Sequence, residues 1–210
     1  MSYDLASYAA FLATALGLLA YLPYVLDTLA GRTRPERASW LIWSVLSLVA
    51  FAAQISGGAT ASLGFVAANV ACTVFVTILS IRCGTGGWSR PGDRKVLVAA
   101  AVGLVLWTLT DNPVWALSIT ITISLAAGVL TLAKAYNSPR SETLTTWMTC
   151  CAASVYALLA ADTVDVMQAA YPAYLALLSA AISATILLGR TSRHTPVTSP
   201  AQRLAVFPFR

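Results

Sequence analysis

Charge is scarce in this 210-residue chain: Asp, Glu, Lys and Arg make up 10% of it, against 58% hydrophobic residues. A soluble domain carries about 25% charged residues, so this chain lacks the polar surface that water requires. Histidine occurs once, as His194, and the four cysteines, Cys72, Cys83, Cys150 and Cys151, form no CxxC pair. That argues against a structural zinc, a redox dithiol or another metal centre; no cofactor is expected, and the thiols read as small buried apolar groups. HExxH, GxSxG, a Walker loop and a paired-acid signature are missing as well, which argues against the familiar hydrolytic and nucleotide-dependent chemistries. The net charge of +5 does not point to nucleic acid, because the basic residues are scattered among short loops and not gathered on one face.

What the chain does have is long apolar runs and a mean hydropathy of +0.75. A membrane-spanning helix needs about 20 mostly apolar residues, and seven such stretches are present, near residues 5–29, 38–56, 60–81, 95–110, 114–134, 143–161 and 167–189. Helix signals mark the breaks. Arg34-Pro35-Glu36 and Ser138-Pro139-Arg140 precede the second and sixth, Gly57-Gly58 separates the second from the third, and Asn112-Pro113 supplies an N-cap and an N1 proline for the fifth. The first stretch has no basic segment before it and is expected to remain as a span.

Cytoplasmic loops concentrate Lys and Arg. Here Arg32, Arg34 and Arg37 follow the first stretch, Arg82, Arg90, Arg94 and Lys95 the third, Lys134 and Arg140 the fifth, and Arg190, Arg193, Arg203 and Arg210 the seventh. The alternate loops carry Asp4, Asp111, Asp162 and Asp165 instead. The alternation predicts seven spans in the plasma membrane, with the N-terminus outside and the C-terminus in the cytoplasm.

The two ends of the chain also resemble each other. Thr28-Leu29-Ala30 recurs as Thr131-Leu132-Ala133, Pro35 and Trp43 recur as Pro139 and Trp147, and Thr77-Ile78-Leu79 with Arg82 recurs as Thr185-Ile186-Leu187 with Arg190. The offset drifts slowly, with the insertions in loops, as a duplication requires. The expected architecture is an all-α membrane protein with a three-helix repeat in residues 1–84, a loop and linker helix in 85–110, a parallel repeat in 111–190 and a disordered basic tail in 191–210. An odd number of helices per repeat inverts a direct fusion, so the fourth helix is what keeps the repeats parallel.

This architecture over residues 1–190, with Tyr21-Leu22-Pro23-Tyr24, Asp27 and the loop to Ser39-Trp40, resembles the SWEET and PQ-loop superfamily, in an actinobacterial-type branch. The resemblance implies a hinge at Pro23 and Tyr24, the latter standing where glutamine would be. In the second half Ala126 and Ala127 occupy the corresponding positions.

Polar groups near a bilayer midplane are costly and so mark function first. Asn69 lies near the centre of the third stretch, and the resemblance implies solute binding by an asparagine there; an interhelical bond, worth about 0.6 kcal/mol on average, is the structural alternative. Ala173 or Leu177 would be its counterpart, with Tyr174 offering a hydroxyl. Trp43 and Trp147 read either as the inner mouth of a pocket or as an aromatic belt with Trp40 and Tyr136. Ser44, Ser47 and Thr73 are further pocket candidates. The hydroxyls of Ser118, Thr120, Thr122 and Ser124 spread around one helix and read as bonded to their own backbone. Asp27 opposes the macrodipole at its helix end and calls for a partner among Arg32, Arg34 and Arg37. Glu36 and Glu142 read as favourable first-turn acids without a function.

Two functions follow as expectations. The first is a SWEET-like carrier of a small neutral solute bound between the repeats by Asn69, Trp43, Trp147, Tyr174, Ser47 and Thr73. The second is an integral-membrane enzyme, terpene-cyclase-like or isomerase-like, acting on an apolar isoprenoid, with Asp27 first and Asp4, Asp111 or Glu142 as alternative proton donors, and aromatic rings stabilising cations. A scaffold without a pocket is a third possibility. The bilayer is the expected partner, with self-association possible.

Overall fold

Proline and short polar turns divide the chain into helices. The computed structural model describes residues 3–56, 63–160 and 166–192. The Gly57-Gly58 turn, Asp162, Asp165 and the tail containing Arg193, His194, Arg203 and Arg210 lie outside the described residues, as does the side chain of Asp4. The helices are α1 (Tyr3–Leu19), α2 (Tyr21–Leu29), α3 (Arg37–Ser56), α4 (Leu63–Cys83), α5 (Pro91–Thr108), α6 (Pro113–Asn137), α7 (Leu144–Ala160) and α8 (Val166–Ser192), with a 3-10 turn at Pro139–Ser141.

Local chemistry explains several of these limits. Asn112 caps α6 by accepting from the backbone N–H groups of Val114 and Trp115, with Pro113 at N1. Pro91 opens α5, so Arg94 and Lys95 are helical and not part of the preceding loop as the sequence pattern suggests. Lys134 likewise lies in the last turn of α6. The first apolar stretch is split between α1 and α2 at Ala20, which keeps right-handed φ/ψ of −60° and −26°. Pro23 accounts for the interruption: it has no N–H to give the carbonyl of Leu19, and its ring crowds that carbonyl. Thr146 Oγ1 donates to the nearby Ala20 carbonyl at 3.0 Å.

Among the described residues three helices are long and apolar enough to cross a membrane, at Leu5–Leu29, Val114–Asn137 and Ala169–Thr191. The polarity is inside out for a water-soluble fold. Leu5, Phe11, Leu22, Leu26, Ile78, Val102, Val129, Leu177 and Leu188 face outward, whereas Ser44, Ser47, Thr73, Ser80, Ser124, Thr131, Ser179 and Ser183 are buried. Lipid accepts the first set without penalty, and helix-to-helix hydrogen bonds hold the second. The chain is a helical membrane protein.

Helix α4 packs against α3 and against α1 and α2, and α8 packs against α7 and α6. Helix α4 therefore lies between α3 and the α1–α2 pair, and α8 between α6 and α7. The halves meet where α1 and α2 pack on α7 and where α3 packs on α6; α5 lies against α3 and α6. The core follows this plan, with Trp43 touching a cluster around Ile182 and Ile186, a cluster around Ile42 and Ile123, and a cluster around Tyr24 and Val76.

Candidate functional site

The loops rich in basic residues come together at one end of the bundle. Arg37 N donates to Thr85 O and Thr85 N to Pro35 O, tying the loop after α2 to the loop after α4; Arg34 N donates to Ser141 O, tying it to the loop after α6. Arg37 secures the first junction by donating to the carbonyls of Ser80, Ile81 and Gly86. Arg190, at the end of α8, secures the second by donating to the carbonyls of Pro139 and Glu142.

Beneath these loops lies a buried ion pair that the sequence pattern does not anticipate. Lys134 Nζ donates to Glu142 Oε1 and to the carbonyls of Arg34 and Ser141, and the side chains are 5% and 0% exposed. Trp147 Nε1 donates to Glu142 Oε2 at 3.0 Å. Tyr24 OH lies 3.5 Å from Glu142 Oε1 and receives Trp40 Nε1 at 2.9 Å. Glu142 therefore precedes α7 as a fully buried anion, not as a solvated first-turn acid, because it is the only counter-ion described for Lys134.

Glu36 departs from its expected role in a different way. It also precedes its helix and is buried, and its Oε2 accepts from Ser39 N at 2.7 Å and Ser39 Oγ at 2.9 Å. Its Oε1 has no hydrogen-bond partner among the described residues. That oxygen and Asp93 Oδ2 converge on the space beside Gly86, where a Cβ would meet them at 2.0 and 2.7 Å; the φ of +73° at Gly86 independently favours glycine. Burial first, and the neighbouring Asp93 carboxylate second, push the Glu36 carboxyl above its ordinary range. Asp93, which sequence reasoning passed over, is held by the Gly87 N–H at 2.7 Å.

Above the ion pair the aromatic rings form a continuous series. Tyr21 and Trp40 are edge-on at 6.1 Å, Trp40 and Trp43 at 5.4 Å, and Trp43 and Trp147 are tilted at 6.0 Å. Trp147 and Trp40 are buried and Trp43 is half-buried, so the belt reading is corrected: these rings pack on one another between the halves and do not line a lipid headgroup region. Tyr136 alone of that set is exposed.

The remaining expected site residues pair off. Tyr21 OH donates to Asn69 Oδ1 at 3.0 Å in the first half, and Tyr174 OH donates to Ser124 Oγ at 2.9 Å in the second. The first pair joins α2 to α4, and the second joins α6 to α8. Ser47 bonds to Thr73 and Ser44 to Thr77, stitching α3 to α4. Asp27 takes Arg32 at 2.6 Å and Thr143 Oγ1 at 2.9 Å, so the expected ion pair with Arg32 forms. Ser118, Thr120 and Thr122 donate to their own helix, as expected. The cysteines are half-buried thiols.

Two cavities bear on chemistry. One, of about 60 Å³, lies between α3, α5 and α6 against Leu46, Leu104, Trp107 and Ile123, with no acid in its lining. It is far below the roughly 300 Å³ at which ligand pockets begin. The other, of about 350 Å³, opens at the basic end between the loops after α2 and α6. Comparison of the chain with protein-family models, with curated proteins and with solved structures finds no match.

Proposed function

We propose that the protein is a SWEET-like carrier of a small neutral solute. In this reading it has seven spans, built as two parallel three-helix repeats in residues 1–84 and 111–190 joined by α5. The N-terminus is outside, the C-terminus is in the cytoplasm, and the basic end is the closed cytoplasmic gate. The observation that carries the reading is the distribution of bonds between the halves. Tyr24 with Glu142, Thr33 with Thr143, Asp27 with Thr143, Ser39 with the Ala127 carbonyl and Lys134 with the Arg34 carbonyl all lie toward the basic end. A gate needs such a set of contacts, able to break together when the halves rock apart.

The equivalent placement of Tyr21–Asn69 and Ser124–Tyr174, with Trp43 and Trp147 between the halves, supports a duplicated unit and a solute site flanked by those pairs. Pro23 and Tyr24 then act as hinge and latch, since the helix is interrupted one turn before a tyrosine that reaches across to Glu142. Asp27, the acid of the enzymatic alternative, is engaged by Arg32 and Thr143 and does not line the apolar cavity.

The test is solute binding followed by flux. Neutral sugars, small polar metabolites and isoprenoid alcohols are screened by thermal shift on purified protein, and hits are carried to counterflow in proteoliposomes. A polar solute that stabilises the wild type, fails to stabilise Asn69→Ala and exchanges across vesicles is the expected result. Stabilisation by isoprenoids alone, with no flux of any solute, would falsify the carrier.

A further inference from the structure

Glu36 and Asp93 are both buried, at 2% and 7% exposure, and neither has an ion-pair partner among the described residues. They flank one junction from two sides. Glu36 lies in the loop after α2, where its backbone bridges that of Thr85, and Asp93 lies in the first turn of α5. Asp93 Oδ2 accepts from the Gly87 N–H and Glu36 Oε2 from Ser39, which leaves Glu36 Oε1 without a hydrogen-bond partner. That oxygen converges with Asp93 Oδ2 on the space beside Gly86, which is too small for a methyl group. A bound Ca²⁺ or Mg²⁺ needs about six oxygen ligands, waters included, and there is no room for them. A proton fits. The charged groups around this junction are engaged or face outward. Arg37 bonds to the carbonyls of Ser80, Ile81 and Gly86, Arg90 to Thr85 Oγ1 and Lys134 to Glu142, while Arg34, Arg82, Arg94 and Lys95 are exposed. Tyr24, also near Glu36, has its hydroxyl between Trp40 and Glu142.

We propose that Glu36 and Asp93 form a proton-binding site, in which one proton is held between Glu36 Oε1 and Asp93 Oδ2 and keeps the loop after α2 closed on the loop after α4. Two carboxylates at one site do not readily ionise together, so the pair keeps a single negative charge. Asp93 is the better seat for that charge, because it has the Gly87 N–H and the positive end of α5. Glu36 then carries the proton on Oε1 and donates a hydrogen bond to Asp93, which satisfies the orphaned oxygen. When the proton leaves to water, two adjacent anions remain. Their repulsion acts across the bonds from Arg37 N to Thr85 O and from Thr85 N to Pro35 O. Rising pH therefore loosens this junction. Glu142, the acid preceding α7, is instead neutralised by Lys134, so the proton site belongs to the first half alone. The inference does not depend on transport and is tested without it.

Full-length protein in nanodiscs is titrated with alkali while the infrared C=O band of protonated carboxyl groups is followed, and hydrogen exchange of the backbone amides of residues 84–87 is measured on the same samples. Wild type, Glu36→Gln and Asp93→Asn are compared at each pH, so that the intrinsic pH dependence of exchange cancels. Wild type is expected to keep a protonated carboxyl above the ordinary Glu value of about 4.3, and Glu36→Gln to lack it. In Asp93→Asn the same band is expected to titrate about one pH unit or more lower. Exchange at residues 84–87 should rise in wild type as the band disappears and stay level in Glu36→Gln. No such band in wild type, or an unchanged midpoint in Asp93→Asn, overturns the shared proton. Exchange that does not follow the band overturns its hold on the junction. Asp93→Asn keeps Glu36 and its bonds to Ser39, so it decides the first point even where Glu36→Gln is too unstable to purify.

Discussion

Lys134 and Glu142 carry the largest energetic consequence of any single pair described. Removing one partner leaves the other charged in a dry site, which costs about 3–5 kcal/mol, whereas replacing both with apolar groups is often nearly neutral. Glu142→Ala is accordingly expected to lose stability in that range in detergent unfolding. Lys134→Met with Glu142→Leu recovers only part of it, because the carbonyls of Arg34 and Ser141 still lose their donor. A Glu142→Ala variant as stable as wild type would mean that the pair is solvated. Glu36 sets a pH dependence of definite sign. Its folded pKa is raised by burial and by Asp93, so the native state holds a proton that the unfolded chain releases. The associated stability is fully present below about pH 4.3, the ordinary Glu value, and is lost as pH rises through the raised value. Across that window the melting temperature of wild type is expected to fall more steeply than that of Glu36→Gln. Parallel curves would remove Glu36 as the cause. Neither acid is distinguishable in sequence from a surface residue at a helix start, because groups that enclose it come from distant parts of the chain, Gly86 and Asp93 beside Glu36 and Tyr24 beside Glu142.

Among the elements, the contact of α6 with α8 and the interruption between α1 and α2 are the most exposed to test. A Cβ at Gly128 would lie 2.6 Å from Leu178 Cδ2, closer than real packing allows. Gly128→Val should cost about 1–3 kcal/mol by overpacking, and Leu178→Ala in the same chain should relieve part of the loss, a coupling that a double-mutant cycle measures. Simple additivity would place the defect elsewhere than in this contact. Pro23→Ala restores an N–H facing the Leu19 carbonyl and should merge α1 with α2. Higher thermal stability with slower solute exchange is the expected pair of effects; unchanged exchange would mean that the interruption is not a hinge. The helices themselves were largely legible. Asn112 with Pro113 and the two proline-containing loops fall where capping chemistry puts them, and the start of α5 was misjudged because Arg94 and Lys95 look like loop residues until Pro91 is recognised as N1.

At the scale of the whole molecule the question is whether the basic end opens. Thr33 and Thr143 face each other with their hydroxyl oxygens 2.5 Å apart across the halves, a position suited to a reversible lock. Thr33→Cys with Thr143→Cys, in a chain whose native cysteines are changed to alanine, should form a disulfide that stops solute exchange until a reductant is added. Exchange that continues in the cross-linked protein would show that the halves do not separate there. The outward apolar faces and buried hydroxyls make the same point thermodynamically, since only a lipid surround stabilises both at once.

By itself the sequence determined the membrane class, the helices and most of their ends, because hydropathy, proline placement and capping are local and add up along the chain. It also marked Asn69, Trp43, Trp147 and Tyr174 as residues of interest, and the ion pair of Asp27 with Arg32 lay within its reach, five residues apart. Only the tertiary structure decided which residues meet across the halves, Tyr24 with Glu142 and Thr33 with Thr143, and which charges are buried together, Lys134 with Glu142 and Glu36 beside Asp93. The physical reason is that burial and charge pairing are properties of distance in space, and residues such as Tyr24 and Glu142, 118 positions apart, become neighbours only once the helices have packed.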